Sequence, residues 1–281
     1  GTAANPFSGD FNGANYSISG LSITPSSAYQ GLFGYVKGGL LANVSVAGTI
    51  SGSAAYDYIG GIVGYTDSGI ANCHSSVAIT INGESAATTA TAIGGIAGCV
   101  ENTNDNPVKV QYCSNSGHIY AGKRIGGIVG AVYCTNNGKV TIDQCYNTGK
   151  VTAKVSNSKV YSGGIVGYCR GFVTNCYYTG AIDSVNGGHY IGGIAGLLQG
   201  SSPQAAFANC YNIGTVANIG SGYCQALYAT VDRSTTMPTE NSFWLDTAAV
   251  GQDTGSGWGT HSNVSALTAA TLQAAASTTY L

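Results

Sequence analysis

The chain has 281 residues, only 8% of them charged, and a net charge of −2, which offers no basic face to nucleic acid or to an acidic membrane surface. With 44% hydrophobic residues it is not a polar disordered linker. Its apolar runs are short and interrupted by glycine, so none is long enough to span a bilayer as a helix.

The chain begins at Gly1, without an initiator methionine or signal peptide. This start reads as a cloning scar on a longer protein, and Tyr280-Leu281 reads as an arbitrary cut. From Phe7 to Ile23, Phe11-Asn12-Gly13 suggests a strand end and a turn. Tyr16, Ile18, Leu21 and Ile23 then alternate with small polar residues, the pattern of half-buried strands. This segment is expected to form a first coil over about residues 5–28.

A hexapeptide follows and returns: Tyr29–Gly34 (YQGLFG), Ile59–Gly64 (IGGIVG), Ile93–Gly98 (IGGIAG), Ile125–Gly130 (IGGIVG), Ser162–Gly167 (SGGIVG) and Ile191–Gly196 (IGGIAG). Its last glycines, at 34, 64, 98, 130, 167 and 196, are spaced by 30, 34, 32, 37 and 29 residues. Downstream of each copy lies a second signature, whose central slot holds Val44, Cys73, Cys113, Cys145, Cys176 and Cys210. A seventh slot, Ser242 in Asn241-Ser242-Phe243-Trp244, is read as lacking its hexapeptide. Extra residues fall in polar stretches such as Glu101–Pro107 and Cys134–Gly138, which places loops on one face.

Paired glycines disfavour helix, by about 1 kcal/mol each relative to alanine. The intervening segments are short, β-branched and aromatic. Each unit offers two or three short strands and has no way to bury its own apolar side. Stacking the units in parallel does so. The expected fold is therefore all-β: a right-handed parallel β-helix of about seven coils, roughly 34 Å long at about 4.8 Å per coil. Leu32, Ile62, Ile96, Ile128, Ile165 and Ile194 are expected to form an interior ladder. The β-helix is assigned to residues 1–250. Residues 251–281 are read as a loop around Trp258 and a short helix over 268–276 with Thr268 as N-cap, a cap or a linker to a further region.

The hexapeptide resembles the GLUG repeat of bacterial secreted and cell-surface proteins, most closely at Gly31-Leu32-Phe33-Gly34. The opening segment, the Asn-Cys-Tyr-Tyr element at 175–178 and the Phe243-Trp-Leu-Asp246 tail are similar to what accompanies such repeats. The resemblance covers roughly residues 5–275. It implies an exported bacterial protein, secreted or at the cell surface, with a β-helical stalk or adhesin-like region. Similar repeats lie in N-terminal regions of metallopeptidases that cleave immunoglobulin A, outside their catalytic parts. The resemblance carries no catalytic motif.

Chemistry is sparse. The nine cysteines contain no Cys-x-x-Cys and are odd in number, and five share one repeat slot, which reads as a ladder of buried thiols. A bridge among Cys99, Cys134, Cys169 and Cys224 stays open. The asparagines before the slot (43, 72, 175, 209, 241) are expected to form a partial amide ladder. The twelve acids are scattered, with no pair at a fixed repeat position. The four histidines lack metal-ligand spacing, so no catalytic residue, metal or cofactor is expected. The tyrosines are the binding candidates: Tyr58, Tyr65, Tyr161, Tyr168 and Tyr190 flank the hexapeptides, and a row of them on one face suits sugar rings or a protein partner. The competing reading is an aromatic ladder that only stabilises stacking. The expected function is a non-catalytic repeat region that binds a glycan or a host or community surface protein. The alternatives are a polysaccharide-degrading β-helix enzyme and a purely structural stalk.

Overall fold

The computed structural model describes residues 1–54, 56–83, 91–134, 139–154, 159–185, 190–199, 207–217, 223–231, 239–245, 249–250 and 261–271. These form a parallel β-solenoid of about six turns, as the repeat pattern requires. Three sheets run along its axis, and every strand pairing among the described residues is parallel. Sheet I is the broad one, with 18 strands between Phe11–Ile23 and His261–Leu267. Sheet II has six short strands, from Ile59–Gly60 to Tyr223–Gln225. Sheet III has seven, from Phe33–Val36 to Tyr228–Val231.

The hexapeptide is the corner that joins sheet II to sheet III. Its first residues end a sheet II strand and its last begin a sheet III strand, as in Arg124–Gly126 and Val129–Cys134. The residue between, at the tip, is Ile62, Ile96, Ile128, Ile165 or Ile194, each fully buried. Leu32 is only half-buried, because the first coil covers it less. The tip carbonyl accepts two N–H groups from the preceding coil: Ile62 and Val63 both donate to Ile96 O at 3.0 Å, and the same pair recurs up the rod. A turn buried in the core thus leaves no orphan carbonyl.

The glycines follow from this geometry. A Cβ on Gly127 would lie 2.0 Å from Gly164 O in the next coil and 2.1 Å from Nδ2 of Asn147. One on Gly130 would lie 2.3 Å from the amide of Ile93 in the preceding coil. The corner packs backbone on backbone, and only hydrogen fits.

The second signature is a bend inside sheet I. The residue before the slot is left-handed in every coil, with φ of 57° at Asn43, 51° at Asn72, 56° at Tyr112, 50° at Gln144, 54° at Asn175, 54° at Asn209 and 44° at Asn241. Asparagine is among the few side chains that tolerate this region, which explains its recurrence. Its amides stack as expected in part of the rod: Asn72 Nδ2 donates to Asn43 Oδ1 at 2.8 Å, and Asn209 to Asn175 at 3.0 Å.

The slot itself is more than an apolar ladder. Each thiol points inward and donates to the carbonyl two residues before it: Cys113 to Gln111 O at 3.2 Å, Cys145 to Asp143 O at 3.3 Å, Cys176 to Thr174 O at 3.1 Å. Ser242 makes the same bond to Glu240 O at 2.8 Å. Burial pushes these thiols far up from their usual range at Cys145 and Cys176. All nine cysteines are free thiols in this structure. Two residues after the slot, buried Asn115, Asn147 and Asn212 accept from the amides of Gly117, Gly149 and Gly214 and fix a second bend.

Three expectations need correction. The seventh coil does have a hexapeptide: Tyr190, Ile191 and Gly192 pair with Tyr223, Cys224 and Gln225, and Ala195 pairs with Tyr228. Cys224–Ala229 therefore occupies the corner with no glycine, and Leu227 O accepts from Ile194 and Ala195 at 2.7 and 3.0 Å. Next, the ladder runs past Val250, since His261–Leu267 pairs in parallel with Thr239–Leu245. That strand begins at the end of the loop expected over 251–262, of which residues 251–260 lie outside the described residues. It was hidden because a sheet I strand alone carries no glycine signature. Finally, Tyr16 is not half-buried but 76% exposed, on the outermost strand. Helix begins at Ala269, with Thr268 Oγ1 accepting from Thr271 N at 3.2 Å as an N-cap. Trp258, residues 135–138 and the remainder of the expected helix lie outside the described residues.

Candidate functional site

Because the corner is sharp, residues just before and just after each hexapeptide meet on the outside. They form a seam along the rod between sheets II and III. On the sheet II side the row runs Ala92, Arg124, Tyr161, Tyr190, Tyr223, with Tyr58 one coil earlier. On the sheet III side it runs Tyr35, Tyr65, Cys99, Ala131, Tyr168, Leu197. Ala92, Ala131, Tyr168 and Leu197, with Tyr58, Tyr133 and Tyr161 against them, make an apolar cluster separate from the main core.

All five candidate tyrosines lie in this seam, in two groups. Tyr58 and Tyr65 sit 5.5 Å apart beside Tyr29 and Tyr35. Tyr161 lies 6.0 Å from Tyr168 and stacks on Tyr190 at 5.1 Å, which stacks on Tyr223 at 5.3 Å. Small side chains, Ala92, Cys99 and Ala131, separate the groups, and Arg124 lies between them. Its guanidinium is 4.9 Å from the Tyr168 centroid and 5.8 Å from that of Tyr133.

The five are not equivalent. Tyr168 is only 6% exposed, with Arg124 and Arg170 over its ring, so it is a packing element and not a contact surface. Its hydroxyl bonds Gln199, and that of Tyr65 bonds Glu101. Burial, reinforced by the Glu101 bond, drives the Tyr65 phenol far above its usual range, and burial raises Tyr58 likewise. Tyr133, missed in the sequence because it lies three residues beyond its glycine, is lifted by burial to about 12 against the pull of Arg124. Tyr223 is 59% exposed.

A second aromatic row lies on sheet I. Tyr146, Tyr177 and Tyr211 stack at 4.9 and 5.0 Å with planes within 4° of parallel, and Phe243 continues the register. Stacked rings cover one another's faces and offer edges and hydroxyls to solvent. Earlier in the same row His74 Nδ1 lies 2.8 Å from Ser114 Oγ, with Asn72 Oδ1 3.2 Å from Nε2. Those residue types suit a nucleophile and base. Ser114 is buried, however, and sits within the parallel ladder in register with His74. Among the described residues no three His, Cys, Asp or Glu side chains converge as metal ligands.

No protein-family model matches the chain, and no curated protein does. Among solved structures it is similar to a Bacteroides ovatus protein assigned provisionally as an immunoglobulin A1 protease. The TM-score is 0.50, with 20% identity over 94% of this chain and 70% of that one, a likeness of fold.

Proposed function

We propose that this chain is a non-catalytic, GLUG-like repeat region of an exported bacterial protein, secreted or at the cell surface, that binds a saccharide or a surface protein along the seam. The observation that carries this reading is the second apolar cluster on the solvent side of the rod. The main core is complete without it, yet tyrosines recur along it in register. Half-buried rings with polar tips are characteristic of recognition surfaces. The repeat resemblance supports an exported origin. The B. ovatus protein's provisional assignment as a protease and the His74–Ser114 contact are what favours an enzyme. The scattered carboxylates and the enclosed Ser114 argue against hydrolysis by this region.

The purified chain should bind saturably to some member of a panel of neutral and acidic polysaccharides and mucosal glycoproteins. Tyr190→Ser and Tyr223→Ser should each weaken that binding about tenfold, roughly 1.4 kcal/mol, while leaving the far-UV spectrum unchanged. Release of cleaved products in the same wells would sink the non-catalytic reading. Absence of binding across the panel would leave the stalk, which the internal pairing of the Tyr65 and Tyr168 hydroxyls favours.

A further inference from the structure

The near-neutral total of −2 conceals a zoned charge. Residues 109–170 hold eight of the ten basic residues against one acid, Asp143, a net of +7. Residues 1–108 hold one basic residue against six acids, and residues 171–281 hold one against five. The rod is therefore basic across about two coils and acidic on both sides of them. On the edge where sheet III passes into sheet I, stacking turns this zoning into a register. Phe11 pairs with Leu41, Leu40 with Gly69, Ile70 with Val110 and Lys109 with Thr141, so the row that begins at Asp10 reaches Lys109 three coils on. Lys139 lies one coil beyond, just before Val140. Asp143 pairs with Thr174, Val173 with Phe207 and Ala208 with Glu240, which puts Glu240 three coils past the coil of Lys139. Asp10, Lys109, Lys139 and Glu240 are exposed, and among the described residues neither lysine meets a carboxylate. Asp10 Oδ1 accepts from the amide of Leu40 at 2.7 Å, which holds its carboxylate on the edge. Leu40, in the same row, is 42% exposed.

We propose that this edge docks against the same edge of a second copy of the chain, parallel to it and displaced along the axis by three coils, about 14 Å. That one displacement sets Asp10 of the second copy against Lys109 of the first, and Lys139 of the second against Glu240 of the first. It also lays the exposed Leu40 of the second copy beside Thr141 of the first, where apolar area leaves water. The surface lies on a different edge from the tyrosine seam and does not depend on it. The choice of a second copy over a linear polyanion follows from the sign pattern. A polyanion laid along the edge is attracted over two coils and repelled by the acidic coils on either side. A rod with the same zoning meets the opposite sign at both contacts. Exposed ion pairs are individually weak and screened by salt, so the association belongs to low ionic strength and high concentration.

Sedimentation equilibrium tests this directly. The chain should form dimers at about 20 mM salt, and the dissociation constant should rise about tenfold by roughly 300 mM. The double variant Lys109→Glu with Lys139→Glu should be monomeric, and so should Asp10→Lys with Glu240→Lys, each with the parent's far-UV spectrum. Mixing the two double variants should restore a dimer, because each then offers the sign the other lacks. That rescue separates loss of the contact from loss of the fold. A parent that stays monomeric at every salt concentration would overturn the proposal, as would a dimer that salt leaves unchanged or one that either variant forms as strongly as the parent. Binding of polyphosphate by a monomeric parent, lost in the double lysine variant, would replace the second copy with an anionic polymer.

Discussion

Two of the turns in each coil solve the same problem by opposite means. At the hexapeptide corner the chain removes side chains, so that carbonyls and amides of successive coils meet directly, as at Gly127 beneath Gly164. At the bend in sheet I it keeps a side chain and uses it: the carbonyl before the left-handed residue, which already accepts an amide of the preceding coil, takes a second hydrogen bond from the thiol that follows the bend. The first solution admits almost no substitution while another corner stacks on top. The second admits Val44, cysteine or Ser242, because the site asks for a small side chain and gains from a donor. Invariance along the rod is therefore a measure of how closely backbones approach, not of chemical role.

Substitutions at the two turns should separate widely. Gly127→Ala should cost about 3 kcal/mol or more, since its Cβ meets backbone on one side and a buried amide on the other; a denaturant midpoint within error of the parent would break the account. Asn175→Val should cost about 1–3 kcal/mol by forcing a β-branched residue to φ 54°, whereas Asn175→Gly should cost under about 1 kcal/mol. At the thiol, Cys176→Ala should cost about 1 kcal/mol, since Thr174 O loses one of two donors and keeps the amide of Gln144, and Cys176→Ser should lose less. If alanine and serine behave alike there, the donor role fails and the slot is packing alone.

The smallest effect is a pH dependence. The buried Tyr133 phenol holds its proton to about pH 12, above the ordinary phenol value of about 10 that it has when unfolded. The unfolded chain therefore releases that proton first. The contribution is complete below pH 10 and is lost as pH rises from about 10 to 12. Tyr133→Phe should flatten that part of the stability curve, with no change at neutral pH.

The repeat, the parallel stacking and the interior isoleucine ladder were legible in the sequence because the glycines come in fixed company. The corner at Cys224–Ala229 was not. The glycines at the second and third positions of a copy meet the backbone of the next copy, as Gly192 meets Tyr228 Cα at 2.7 Å and Gly193 meets Ala226 O at 2.1 Å. Among the described residues no further corner lies on 224–229, so Gln225 and Ala226 stand where glycines were needed below. The thiol's role was hidden because cysteine reads as a small apolar residue; Ser242 in the same slot was the available hint. The tyrosines of the seam were found by position, but the burial of Tyr168 was not, since it depends on arginines from two different coils.

The parallel register has a mechanical consequence. Backbone hydrogen bonds between coils point along the rod, so a pull applied end to end loads the rungs in series. Such an object does not share force among its turns; it yields at its weakest one and then peels. The glycine-free corner at 224–229 keeps its backbone bonds to the coil before it, but among the described residues no further corner stacks on it, so it is locked on one side alone and under tension peeling is expected to begin there.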